Sequence, residues 1–411
     1  MLDLTTFEPA LKTMYSPDRV RRLSYAKDPF FLMIKKNTNF YGKDFQLDVI
    51  YGNGGARSAT FTNAQGRSSS TSTGVEKFQL TRNHDYGVAL LDAETIEASA
   101  NDSGALLSAT KTEFDSVLDN LCISSTGALY RDGSGAIGQI GSAGAASGTD
   151  SFVLKDANDV VNLQVGHEIV VWSATTGGTQ RLFKTADSEA VITKINRDNG
   201  TLYFASGTIA AGETLAANDY IFVNGDRGNK IKGLDAWLPS TAPTSGDSFF
   251  GTDRSTDAVR LAGVRYDASG QPLEEGLNNC SARLFREGAT PSHVLLPLEK
   301  YSELQNSLGS KVQYVNVTSK DVANISFTGI KVISPKAVMT VLPSAFLPAD
   351  VGYMLTMDTW ALRSLGEHIR PLMLDGTKML RASGADAYEA RFGYYSQVGC
   401  SAPGWNARIA L

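Results

Sequence analysis

Cysteine is scarce in this chain: Cys122, Cys280 and Cys400 are the three, far apart and with no CxxC pair among them. Such spacing is neither a disulfide framework nor a zinc site, and it suits a reducing compartment such as a cytosol. No apolar run approaches the 18 residues that a membrane span needs. The N-terminal MLDLTTFEPALK carries acids and lacks an apolar core, so a signal peptide is not expected. Charged residues make up only 20% of the chain and the net charge is −5, so bulk charge does not draw it to polyanions. The four histidines (His84, His167, His293, His368) are scattered and read as surface or satisfied interior residues. There is no HExxH, no Walker loop, no GxSxG and no kinase signature, so no constellation for an enzyme stands out.

What is present is a chain of 411 residues, 42% apolar, with 39 glycines and long Ser/Thr runs. That length suits two or three domains, and the composition suits extended, loop-rich β structure. The longest helical pattern lies between Asp92 and Cys122. Leu107, Phe114 and Leu121 recur every seven residues, with Val117, Leu118 and Cys122 on the same face. Asp102 and Ser103 supply a start signal, so a helix is predicted from Asp102 to about Ser124, a spine for the sheet-rich remainder.

Residues 1–40 read as an irregular arm. Between Lys12 and Lys43 there are eight Lys/Arg against two acids. Arg19, Arg21, Arg22, Lys35 and Lys36 are the core of that excess. It is either a solvated or partner-bound arm, or a basic surface facing a polyanion or an acidic neighbour. Phe30 to Ile34 form an apolar knot that would anchor one end. Residues 41–90 read as a long hairpin, with Phe45, Leu47, Val49 and Tyr51 alternating on one strand and Phe78, Leu80 and Arg82 on the other. Between them YGNGGARSATFTNAQGRSSSTSTG holds almost nothing to fold around. A loop of that length is expected to be held by a neighbouring molecule or to be disordered.

Gly133-x-Gly135-x-x-Gly138 matches a dinucleotide-binding spacing, but a helix precedes it and a strand comes after it, the reverse of what that motif needs. A domain junction is the better reading. From 150 to 230, short apolar runs separated by turns predict a small all-β barrel or sandwich, inserted between the spine and the α/β segment after it. Residues 231–385 read as α/β. Helices are expected at Ser255–Tyr266, Leu273–Glu287, Pro297–Leu308 and Asp358–Leu365, with strands near 293–297, 312–317, 325–334, 338–342, 351–357 and 369–374. Asp247, Asp253 and Asp257 form a loose acidic group at a helix start. Alternation at 388–394 and an apolar end, Trp405 to Leu411, predict closing strands that return to the hairpin and spine. Trp172, Trp237, Trp360 and Trp405 read as core or interface anchors.

This order of parts resembles the major capsid protein of tailed bacteriophages of the Hong Kong 97 type. It is carried by Lys232-Gly-Leu-Asp-Ala-Trp-Leu-Pro239, by Ala258–Leu298 and by Asp386-Ala-Tyr-Glu-Ala-Arg-Phe-Gly-Tyr-Tyr395. The resemblance implies an α+β, HK97-like fold: N-terminal arm 1–40, extended loop 41–90, peripheral domain with spine helix 91–133, inserted β domain 134–231, axial domain 232–385, and peripheral closing strands 386–411. It implies no enzyme and no cofactor. It implies hexamers and pentamers in a shell around double-stranded DNA, assembled in the bacterial cytoplasm into the virion, without a membrane. A separate scaffolding protein and a portal are implied as partners, with a cement protein left open. In that arrangement Arg57, Phe61, Arg67, Lys77 and Trp405 are the inter-subunit contacts expected, and the five basic arm residues face DNA or a neighbour. Lys77 is the one lysine near the loop tip, and nothing marks a crosslinking partner for it. An encapsulin-type compartment shares the fold, and a β-rich surface adhesin would explain the Ser/Thr/Gly runs.

Overall fold

The computed structural model describes residues 28–68, 72–93, 103–141, 150–184, 186–209, 214–308, 314–318, 326–334, 337–373 and 379–411. Its axis is the helix α3 (Ser103–Tyr130), 28 residues and so about 42 Å long. The helix runs six residues past the predicted end, because Thr126, Ala128, Leu129 and Tyr130 are buried there. Phe114, Leu118, Leu121 and Cys122 are buried too and belong to the largest core.

Across α3 lies a six-stranded sheet built around β22 (Ala387–Cys400). On one edge β22 pairs antiparallel with β4 (Asn83–Asp92). On the other it meets β19 (Trp360–Ser364), β20 (Arg370–Pro371) and β21 (Leu380–Arg381), while β1 (Lys35–Asn37) adds parallel to β19. Gly87 of β4 lets the helix approach, since a Cβ there would fall 2.6 Å from Val117.

The predicted hairpin forms as β2 (Asp44–Gly52) against β3 (Gly74–Thr81), with Phe45, Leu47, Val49 and Tyr51 turned inward. Its connection contains a short helix, α2 (Phe61–Ser68), which buries no residue. Residues 138–223 form a separate six-stranded sheet in the order β5 (Gly138–Gln139), β10 (Tyr220–Val223), β7 (Glu168–Trp172), β8 (Glu189–Asn196), β9 (Thr201–Phe204), β6 (Ser151–Val153). It has its own core, which includes Phe152, Phe183, Ile192 and Phe204. Gly135 sits at φ +85°, and a Cβ on it would come within 2.4 Å of the Asp226 carbonyl oxygen, so the incoming and outgoing chains of this sheet run in contact. The outgoing chain re-enters the largest core through a one-turn helix, α4 (Leu234–Trp237), with Leu234 and Trp237 fully buried.

A seven-stranded mixed sheet completes the body: β13 (Val264–Asp267), β23 (Ala407–Ala410), β18 (Val351–Leu355), β14 (His293–Pro297), β17 (Val338–Ser344), β16 (Ser326–Ile333) and β15 (Tyr314–Thr318), in that spatial order. Helix α5 (Leu273–Arg286) covers it with Leu277, Cys280 and Leu284, as its periodicity predicts. Helix α6 (Leu298–Leu308) also forms as predicted.

Three expectations fail here. Ser255–Tyr266 is not a helix but a 3-10 turn, Arg254–Asp257, followed by β13. Asp253 caps Ser255, and Asp257 takes the N–H groups of Val259 and Arg260, so two aspartate caps in succession stop the helix from propagating. Asp358–Leu365 is strand β19 after a turn at Met357–Thr359, because β22 and β1 pair with it from both sides. Of the strand expected at 369–374, only Arg370–Pro371 forms among the described residues, with Leu372 N–H still reaching Arg391 O (2.8 Å). The closing strands also divide: β22 returns to β4 and the spine, whereas β23 joins the seven-stranded sheet between β13 and β18.

Candidate inter-subunit surfaces

The β2–β3 hairpin is fixed at its base and bare at its tip. At the base Phe78 and Leu80 are fully buried, and Phe78 lies 5.1 Å from the Trp237 ring, edge-on to Phe249. A tight turn, β11 (Ser248–Phe249) to β12 (Thr252–Asp253), presses on the hairpin from outside. Phe250 and Gly251 occupy that turn at φ 49° and 82°, the pair of positive values that a mirror-image hairpin turn demands. Phe250 O accepts from Gln79 N–H (2.9 Å), and the Thr252 hydroxyl donates to Lys77 O (2.9 Å). Toward the tip Ile50 is 67% and Phe61 81% exposed.

The sequence-predicted contacts divide accordingly. Arg57, Phe61 and Arg67 come together around α2, all exposed, with the Arg67 guanidinium 3.4 Å from the Arg57 carbonyl. Lys77 stands apart on β3 near the base, opposite Asp48, its side chain outward. Trp405 is in a 3-10 turn, Pro403–Trp405, between β22 and β23, half exposed and far in the chain from the hairpin. Lys35 is exposed on β1. Lys36 turns back instead, its ammonium 3.4 Å from the carbonyls of Leu32 and Ile34 and 5.0 Å from the Phe31 ring centre. Arg19, Arg21 and Arg22 lie outside the described residues.

Three buried polar hubs, none of them picked out by sequence reasoning, hold these surfaces to the body. Asp28 is the first. It caps helix α1 (Pro29–Met33) through Phe31 N–H (3.0 Å), and its other oxygen accepts from Tyr130 and Ser344 hydroxyls, each at 2.7 Å. Burial pushes its carboxyl above the usual range, against the pull of those donors. Lys230 is the second. Its ammonium meets Asp85 (2.5 Å), Ser124 (2.8 Å) and Asp226 (3.0 Å), joining β4, the spine and the outgoing chain of the six-stranded sheet. These residues border a cavity of about 370 Å³. Desolvation raises the Asp226 carboxyl to about 6, with Lys230 opposing and Asp85 adding to the shift. Asn406 is the third. Its amide oxygen accepts from the Trp360 indole (2.9 Å) and Thr356 N–H (2.8 Å), and its nitrogen donates to Ala402 O (2.9 Å) and the Thr359 hydroxyl (3.1 Å). Asp28 left a trace in the sequence as Asp-Pro before an apolar knot; the other two left none.

The histidines are used structurally. His368 is half-buried between Ser125 (2.7 Å) and Ser396 (3.1 Å), its ring 4.5 Å from that of Tyr394. Desolvation, with Lys36 nearby, lowers it to about 3, so it is neutral. In the acidic group, Asp247 pairs with Arg254 (3.0 Å) while Asp253 and Asp257 are caps. Among the described residues no cluster of His, Cys, Asp and Glu could hold a metal ion, and no helix is long and apolar enough to cross a membrane.

A spine helix under one sheet, a second mixed sheet covered by helices, and a long hairpin make up an α+β, HK97-like fold. No family model matches the sequence, and no curated protein matches it. Among solved structures, the chain is similar to the capsid asymmetric unit of cyanophage A-1(L), at 12% identity over 96% of this chain and 94% of that one, with a TM-score of 0.50. The capsid of a native GTA particle covers 97% of this chain and 91% of its own at 8% identity and a TM-score of 0.42. The holo-SrpI encapsulin complex from Synechococcus elongatus PCC 7942 covers 96% and 87% at 7% identity and 0.41. The cyanophage match establishes the fold; the other two, below 0.5, add no weight to it.

Proposed function

We propose that this chain is the major capsid protein of a tailed bacteriophage, assembling as hexamers and pentamers into an icosahedral head around double-stranded DNA. The observation that carries this reading is the alignment of nearly the whole chain, 96%, with a cyanophage capsid subunit. The exposed hairpin tip supports it. Phe61 at 81% exposure, beside Arg57 and Arg67, has no use in an isolated chain and suits a neighbour's surface. In this reading Arg57, Phe61, Arg67, Lys77 and Trp405 contact adjacent subunits. The 134–231 segment is an insertion domain, and the contact between its incoming and outgoing chains is what an insertion into a pre-existing body requires. Lys35 and the arginines of the arm face packaged DNA or an acidic neighbour. Scaffolding, portal and cement partners belong to the same proposal, as do assembly in the host cytoplasm and a place in the virion.

Shell formation needs no strong single contact, because many weak ones sum around closed rings. The test is negative-stain microscopy with light scattering on the full chain and on versions lacking residues 1–27 or 53–73, deletions that spare the buried Asp28 hub and both hairpin strands. Shells or capsomer rings from the full chain, lost on either deletion, are expected. A chain that stays monomeric at high concentration, also with a co-expressed scaffold, would overturn the reading. If the basic arm faces DNA, binding falls steeply between low and moderate salt, indifferent to base sequence.

A further inference from the structure

β4 is an edge strand: among the described residues its strand partner is β22 alone. The flanking bonds show which way its main chain points. Leu372 N–H donates to Arg391 O (2.8 Å) and Leu365 N–H to Tyr395 O (2.9 Å), so odd-numbered residues of β22 face away from β4. Ala93 N–H donates to Asp386 O (3.0 Å), so even-numbered ones face toward it. With Ala89 opposite Ala390 and Val88 opposite Arg391, the odd-numbered residues of β4 make the ladder. In an antiparallel pair the intervening residues direct N–H and C=O to the other edge. These are His84, Tyr86, Val88, Leu90 and Asp92, and their side chains are also the exposed ones, while Ala89 and Leu91 are buried. Tyr86 is 52%, Val88 48% and Leu90 56% exposed. The Tyr86 N–H is met by the neighbouring Asp85 carboxylate (3.1 Å); the other main-chain groups of these five have no main-chain partner among the described residues. Soluble proteins blunt such an edge with lysine or proline, and β4 has neither.

We propose that the β4 edge pairs antiparallel with the β4 edge of a second copy, about a two-fold axis at Val88. The strand is self-complementary in this register. Val88 faces Val88 of the second copy, Tyr86 faces Leu90, and His84 faces Asp92, so the apolar residues gather at the centre and each end sets an imidazole against a carboxylate. No other register engages all five outward residues. A strand of this length buries less than the roughly 1,200 Å² of a stable dimer, so the contact is weak alone and gains strength from repetition. The proposal deepens the shell reading and rests on it for where the two-fold lies, between neighbouring rings; the pairing itself does not depend on it.

The experiment places cysteine at single positions in the full-length chain, oxidises under assembly conditions and reads dimers on a non-reducing gel. Cys122, Cys280 and Cys400 are buried, and the unmodified chain measures their background. Residues opposite each other in a hydrogen-bonded pair have Cα atoms about 5.5 Å apart, within disulfide reach. Val88→Cys is therefore expected to dimerise. Tyr86→Cys alone is not, being offset from its own copy by about 14 Å along the strand. Tyr86→Cys mixed with Leu90→Cys is expected to dimerise again. Absence of the Val88→Cys dimer, with or without shells, overturns the pairing, as does equal dimerisation of Val88→Cys and Tyr86→Cys alone. Shells without the dimer leave the capsid reading standing; the dimer without shells supports the pairing and counts against the capsid reading.

Discussion

The hydroxyl of Tyr130, the last residue of the spine helix, donates to the carboxylate of Asp28 across 2.7 Å, deep in the core. Asp28 also binds Ser344 at the end of β17 and the Phe31 amide. One side chain thus ties the start of α1 to the spine and to the seven-stranded sheet. Truncating it leaves three donors buried without an acceptor, each costing about 1–3 kcal/mol. Tyr130→Phe removes one donor and leaves the carboxylate two. Asp28→Ala is therefore expected to lower the denaturant midpoint more than Tyr130→Phe does. The opposite order would show that the hub is not centred on Asp28.

His368 gives the fold an acid limit. Its folded-state value, lowered to about 3 mainly by desolvation, lies below the ordinary 6.5 of an unfolded chain. The unfolded state therefore binds a proton that the folded state refuses. Its contribution is fully present above pH 6.5 and is lost as pH falls toward 3, at up to about 1.4 kcal/mol per pH unit. Unfolding midpoints measured from pH 7 to pH 4 should fall more steeply for the native chain than for His368→Gln. Parallel curves would remove His368 from the account.

Much of the architecture was legible in the sequence because it is local. The seven-residue spacing in α3, the apolar face of Leu277, Cys280 and Leu284 in α5, and the alternation of Phe45 to Tyr51 each fix an element without reference to the rest. The misread segments depend on distant partners. Trp360–Ser364 has too few residues to show a period, and it is a strand only because β22 and β1 flank it. The hubs are less legible still. Lys230 and Asp85 are 145 positions apart, and Asn406 reaches residues 46 to 50 positions away, so no spacing announces them. The exposure of the segment around α2 was legible for the opposite reason: it holds little to bury, and its helix buries no residue.

Asn406 joins the two large sheets, and the direction of its hydrogen bonds makes a sharp test. Its oxygen accepts twice, from the Trp360 indole and Thr356, while its nitrogen faces the carbonyl of Ala402. Asn406→Asp keeps the first half and sets a carboxylate oxygen against that carbonyl, so a buried charge is left without a partner, at about 3–5 kcal/mol. Thermal unfolding of Asn406→Asp is expected well below that of the native chain, with part of the loss recovered at low pH as the acid protonates. Unchanged melting would mean that the site relaxes without strain.

Phe61 separates folding from assembly. It is 81% exposed on a helix that buries nothing, so Phe61→Asp removes no contact from the isolated chain. Exposed substitutions of this kind stay within about 0.5 kcal/mol of the parent. At an interface the same change forces a carboxylate into an apolar site and costs several times that. In the proposed shell each subunit would both offer a hairpin and receive one, which would multiply the cost. Phe61→Asp is expected to melt with the native chain but to need a much higher concentration before light scattering rises. A variant that assembles as readily as the parent would place the hairpin tip outside the subunit contacts, while a variant that melts early would show that the tip is held by its own chain.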